Sequence, residues 1–153
     1  MEIVSIFAFA CIIPIAALSA FGLIIYLIIK AQTPRVGVWG KFAEKYHGEI
    51  PPEQVIATFN RNSGSVGMHY NGALNFTLSE NELGVSAAAI YAIGHKPFKI
   101  PFEEITAVEK HKLFFGVHLL AEQVPGKEIK ISAGLAQQIE KASNGKWTYE
   151  RKG

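Results

Sequence analysis

Hydrophobic positions follow three different patterns along this chain. From Ile3 to Ile29 they are nearly continuous: 27 residues pass without a charged side chain, and Lys30 ends the run. As a helix this run is about 40 Å long, against about 30 Å of hydrocarbon in a bilayer. Residues 1–30 are therefore expected to form a transmembrane helix, the one span of a single-pass membrane protein. A core helix of this length would carry a polar face, and Ser5, Ser19 and Tyr26 do not make one. A secretory signal would begin with basic residues and hold an apolar stretch of about 7–15 residues; Met1-Glu2 offers no basic start, and the run is too long.

The second pattern is helical. Over 38–47, Trp39, Phe42, Ala43 and Tyr46 fall on one face, and Lys41, Glu44 and Lys45 on the other. This predicts a short amphipathic helix inside a juxtamembrane linker, residues 31–52, with Pro34 blocking continuation of the first helix. Two surfaces would accept its apolar face: the membrane surface or the domain that follows. On the first reading Tyr26, Lys30, Trp39 and Phe42 are membrane-interface residues.

The third pattern has a period of two and predicts strands. Leu74, Phe76 and Leu78 alternate with Asn75, Thr77 and Ser79, and Phe98, Ile100 and Phe102 alternate with Lys99 and Pro101. Further strands are expected at Val55–Asn60, Ser65–Tyr70, Leu83–Ala89, Ile105–Phe115, Val117–Ala121 and Glu128–Ile131. Asn62-Ser63-Gly64 is expected as a turn and Asn71-Gly72 as a hairpin. The ending differs. Ser132 reads as an N-cap, Leu135, Ala136, Ile139 and Ala142 share a helical face, and Asn144-Gly145 stops the helix. Residues 53–153 are thus expected to form one mainly β domain, a curved antiparallel sheet or barrel closed by a C-terminal α-helix.

That order of elements resembles the pleckstrin-homology (PH) superfold. Locally, Leu83-Gly84-Val85-Ser86 and the segment Gly94-His95-Lys96-Pro97-Phe98-Lys99-Ile100-Pro101-Phe102-Glu103-Glu104-Ile105 resemble small bacterial membrane-anchored PH-like or GRAM-like proteins of unassigned function. The resemblance implies a binding module and carries over no catalytic residue.

Charge sets the orientation. Lys30, Arg35, Lys41 and Lys45 follow the apolar run, and no basic side chain precedes it. Positive flanks stay in the cytoplasm, which predicts the inner (cytoplasmic) membrane, the N-terminus outside and the C-terminal domain in the cytoplasm. The one cysteine, Cys11, lies inside the run, so no intramolecular disulfide forms. Ala16 and Ala20 are a small-xxx-small pair, a candidate helix–helix contact.

Composition narrows the chemistry. After residue 2, 15 Lys+Arg stand against 12 Glu, a net +3 that does not point to nucleic acid. The chain has no aspartate, the residue that most often ligates Mg²⁺ and Ca²⁺ and completes catalytic triads. No phosphate-loop, dinucleotide or metalloprotease motif occurs, so neither cofactor nor metal is expected. His47, His69, His95, His111 and His118 show no ligand spacing. Glu103 and Glu104 are neighbours whose side chains diverge on a strand, which argues against an acid–base pair.

Lys96, Lys99, Lys110, His111 and Lys112 form the best basic cluster, with Lys127 and Lys130 nearby. On one barrel end they would contact an anionic lipid headgroup or peptide, at about 1 kcal/mol per basic residue near the surface. On separate loops they are a solvated rim. Two functions follow as expectations. One is a non-catalytic module, anchored in the lipid bilayer, that binds another membrane protein as an accessory or scaffold. The alternative is a module responsive to anionic lipid of the cytoplasmic leaflet.

Overall fold

A computed structural model describes residues 18–27, 37–110 and 115–152. The chain forms two compact units, 1–33 and 34–153. In the first, residues 18–27 are helical (α1) and exposed, Ala20 and Tyr26 among them. The remainder of the 3–29 run, with Ala16, and also Lys30 lie outside the described residues. Among the described residues no helix is long and apolar enough to cross a membrane.

The second unit opens with α2 (Val38–Lys45) and continues as seven antiparallel strands: β1 (Ala57–Val66), β2 (Met68–Leu78), β3 (Glu82–Ala87), β4 (Phe98–Pro101), β5 (Ile105–Glu109), β6 (Val117–Ala121) and β7 (Glu128–Ile131). Helix α3 (Ala133–Ala142) follows. The strands make one sheet in the order β4-β3-β2-β1-β7-β6-β5, which curls into a nearly closed barrel. The period-2 residues supply its interior: Leu74, Phe76, Leu78, Leu83, Val85, Phe98, Ile100, Val117, Leu119, Ile129 and Ile131 are buried.

The β1–β2 hairpin turns at Gly67, whose φ of 76° suits glycine, not at the expected sites. Asn62-Ser63-Gly64 lies within β1 and Asn71-Gly72 within β2, opposite each other, where the register shifts twice. The Ser63 hydroxyl joins the two irregularities: it accepts from Gly72 N at 2.8 Å and lies 3.1 Å from Asn71 Oδ1. Of these residues Gly72 alone takes left-handed backbone, at φ 62°, beside Arg61 at 55°; glycine there serves an irregularity within a strand as well as a turn.

Antiparallel pairing sorts the connections. The β1–β2 turn and the β3–β4 and β6–β7 connections lie at one end of the sheet and the β2–β3 connection at the other; the end of the β5–β6 connection lies along the β1–β2 hairpin, where Phe115 packs on His69 at 4.8 Å. Helix α2 closes the first end. A Cβ on Gly67 would meet Val38 Cβ at 2.5 Å, and Trp39 Nε1 donates to the Lys96 carbonyl at 2.8 Å. Trp39 is 1% exposed and Phe42 0%, with Trp39 edge-on to Phe98 at 5.1 Å and Phe42 stacked on it at 5.3 Å. Trp39 and Phe42 therefore belong to the core, which corrects their expected place at the membrane interface. Likewise, residues 38–50 are part of the folded unit and not a linker.

Helix α3 closes the second end. Ser132 Oγ accepts from Leu135 N, as an N-cap does. Leu135, Ala136 and Ile139 are buried, and Asn144 and Gly145 leave the helix at positive φ. Both outer strands are backed by nearby chain. Lys99 N of β4 donates to Tyr46 O, and on β5 Glu109 N donates to Glu150 O while Glu150 N donates to Ala107 O, each at 2.8 Å. Neither edge offers a row of unpaired backbone groups to another strand.

Candidate functional site

Three polar networks take up most of the buried titratable groups, and each has a structural task. The Tyr46 hydroxyl donates to Glu104 Oε2 at 2.7 Å and accepts from Gln123 N at 2.9 Å, which ties α2 to both the β4–β5 and β6–β7 connections. Burial, and then the Glu104 carboxylate, push the Tyr46 phenol up to about 12, although the Gln123 amide opposes this. Tyr70 Oη lies 2.9 Å from His95 Nε2, beneath Trp39. Burial lowers the His95 pKa, partly offset by the carbonyls of Ile93 and Tyr91, and raises Tyr70 to about 12. Both groups are therefore neutral at pH 7. Glu128 gathers His118 Nδ1 at 2.7 Å, Lys110 at 3.0 Å and Lys130 at 3.1 Å. Burial alone would raise its carboxyl; the three donors outweigh it and hold the pKa at about 2.

The basic cluster does not converge among the described residues. Lys96 sits at the α2 end. Lys99, within β4, pairs with Glu82 at 3.0 Å. Lys110 pairs with Glu128, the first residue of β7, at 3.0 Å. His111 and Lys112 lie outside the described residues.

What is open is a cleft of about 1270 Å³ at the α3 end. The β2–β3 turn (Ser79–Glu82), the 3-10 turn Phe102–Glu104, residues 53–56 and the end of α3 surround it. Four glutamates line it, Glu53, Glu80, Glu82 and Glu103, against one lysine, Lys146. Lys146 holds Glu80 at 2.5 Å and lowers its pKa, and Lys99 holds Glu82. Glu53 and Glu103 are exposed and make no ion pair among the described residues. Pro101, Phe102 and Ile56 give the cleft an apolar part, and Ile56 is 55% exposed. An acidic recess with an exposed isoleucine suits a segment that presents cationic and apolar side chains together.

Glu103 and Glu104 lie in a 3-10 turn and not on a strand as expected; Glu103 lines the cleft and Glu104 binds Tyr46. The cleft itself had no signal in the sequence, because its acids come from positions 53, 80, 82 and 103, which only the fold assembles. No group of three or more metal-ligating side chains converges among the described residues. No protein-family model matches the chain, and no curated protein or solved structure matches it either.

Proposed function

We propose that this chain is a single-pass, membrane-anchored, non-catalytic module of PH-like architecture that binds another membrane protein through the acidic cleft. Membrane anchoring draws on the uncharged run 3–29 and on Lys30, Arg35, Lys41 and Lys45 after it, which orient the second unit to the cytoplasm. The PH-like reading draws on seven antiparallel strands, their order and the closing C-terminal helix.

One observation carries the binding role. The barrel interior is filled by side chains, both of its ends by helices and both sheet edges by backbone, while the acidic, partly apolar cleft stays open. A partner meets a formed recess there. The non-catalytic reading draws on the tasks already held by His95, His118, Glu104 and Glu128, each bound in a network that fixes the fold. The lipid-responsive alternative has less support, since Lys99 and Lys110 are each paired with a glutamate.

The test is isolation of the full chain, tagged after Gly153, from its native membranes in mild detergent. The expected result is a stoichiometric integral-membrane partner that is lost from the Glu53→Lys/Glu103→Lys variant. Recovery of the chain alone, or with lipid only, removes the proposal.

A further inference from the structure

Strand β1 is flanked unevenly. β2 pairs it from Ala57 to Val66, but β7 pairs it only at Gly64, Ser65 and Val66. β7 runs so close there that a Cβ on Gly64 would meet Lys130 O at 2.7 Å. After Ile131 the chain turns away, with Ser132 capping α3. Ala57–Ser63 therefore has β2 on one side and, among the described residues, no strand on the other. The register shifts after Phe59 and again after Asn62, and Arg61 is left-handed at φ 55°. The stretch before these shifts keeps to β2: Ile56 N donates to Leu78 O at 2.7 Å, and Ala57, Thr58 and Phe59 hold one register.

Alternate residues of a strand turn their N–H and C=O groups to opposite sides. Ile56–Asn60 thus presents a margin about 17 Å long, with donors and acceptors that β2 does not use. Among the described residues, the one hydrogen bond it receives from outside β2 is local, from Asn62 Nδ2 to Asn60 O at 3.3 Å. Sheets usually blunt such a margin with lysine, proline or a bulge. The shifts near Arg61 do this beyond Asn60; Ile56–Asn60 itself holds neither lysine nor proline. Its start lies in the acidic cleft. Ile56, 55% exposed, lines the cleft with Glu53 and Glu103, and neither glutamate makes an ion pair among the described residues. An added strand would meet backbone along β1, an apolar side chain at Ile56 and two unpaired carboxylates at its end.

We infer that the bound protein adds a short extended segment to β1 along Ile56–Asn60 and sets a lysine or arginine at the segment's C-terminal end beside Glu53 and Glu103. The segment runs antiparallel to β1, as β2 and β7 do, which carries its C-terminal end past Ile56 into the cleft. This rests on the cleft reading above and gives it a binding mode, β-strand addition closed by a cationic end. A second copy of this chain fits less well: the cation after its own stretch, Arg61, stands at the irregularity, where the strand no longer runs regularly.

The test is amide hydrogen exchange of the full chain in lipid nanodiscs, with the peptide acetyl-Thr-Val-Thr-Val-Thr-Lys-Lys-amide as probe. At about 100 times its Kd, the peptide is expected to slow exchange of the outward amides within 56–60 by about 100-fold. Two further peptides are N-methylated, one at the valines and one at the threonines. One of them is expected to lose binding and the other to keep it, because a strand bonds β1 through alternate residues only. A peptide with Glu-Glu in place of Lys-Lys is expected not to bind. Unchanged exchange at 56–60, equal effects of the two N-methylations, or equal binding of the acidic peptide overturns the inference. Slow exchange at 56–60 in the chain alone that deepens with concentration also overturns it and indicates pairing with a second copy. Co-isolation from native membranes separates the two levels. If a partner is recovered and the peptide leaves 56–60 unchanged, only the strand inference fails; if no partner is recovered, the cleft reading fails with it.

Discussion

Replacing Trp39 by alanine tests whether α2 is core or membrane contact. The indole is fully buried, edge-on to Phe98, tilted on Tyr70 and against His95, at centroid distances of 5.0–5.5 Å. Truncating a buried Trp to Ala costs about 3–5 kcal/mol through lost transfer energy and the cavity left behind. The substitution also strips the Lys96 carbonyl of its donor, and a net hydrogen bond contributes about 0.5–1.5 kcal/mol, already partly counted in such truncations. Trp39→Ala is thus expected to remove about 3–5 kcal/mol, a large share of the ~5–15 kcal/mol available to a domain. Trp39→Phe keeps the ring contacts, loses the N–H and is expected to cost about 1–2 kcal/mol. The assay is urea-dependent proteolysis of the full chain in lipid nanodiscs. A residue that only touches lipid headgroups would change domain stability by less than about 0.5 kcal/mol. A loss below about 1 kcal/mol for Trp39→Ala would refute the core assignment.

Three further outcomes follow from the geometry. Glu128 is held at about 2 from the usual 4.5, so its contribution to stability is complete above pH 4.5 and is lost as pH falls towards 2; Glu128→Gln is expected to cost about 1–3 kcal/mol at pH 7 after allowance for its partial exposure, with the two proteins converging in acid denaturation near pH 2. Gly67→Ala puts a Cβ in left-handed backbone and 2.5 Å from Val38 Cβ, and is expected to cost at least about 1–2 kcal/mol; a double-mutant cycle with Val38→Gly should show the pair costing less than the sum, and strict additivity would deny the contact. Ser132→Ala removes the α3 cap and should cost about 1 kcal/mol by thermal unfolding.

What the sequence disclosed depended on how local each signal was. The alternation at Leu74, Phe76 and Leu78 is a strand signal in itself, and all three are buried. Ser132 and Asn144-Gly145 mark the ends of α3 because caps are chemistry of adjacent residues. The α2 pattern was equally local but ambiguous: Trp39, Phe42, Ala43 and Tyr46 make an apolar face, and periodicity does not say whether a bilayer or a β-barrel covers it. Asn71-Gly72 signalled left-handed backbone without distinguishing a turn from a bulge. The real turn at Gly67 is flanked by Val66 and Met68, which carry no turn signature. Non-local features were invisible. Lys99 and Lys110 are near in sequence, yet the fold pairs them with glutamates of different strands, Glu82 and Glu128. Tyr46, Glu104 and Gln123 meet only once the barrel has curled.

The central claim is that the acidic cleft is the binding surface for a membrane protein, and site-directed photocrosslinking in intact membranes tests it most directly. A photoreactive residue replaces Glu103 in the cleft and, as control, Gln137, exposed on α3 and outside the cleft. The account predicts one discrete adduct with an integral-membrane protein at 103 and none at 137. No adduct at 103, or the same adducts at both positions, would contradict it.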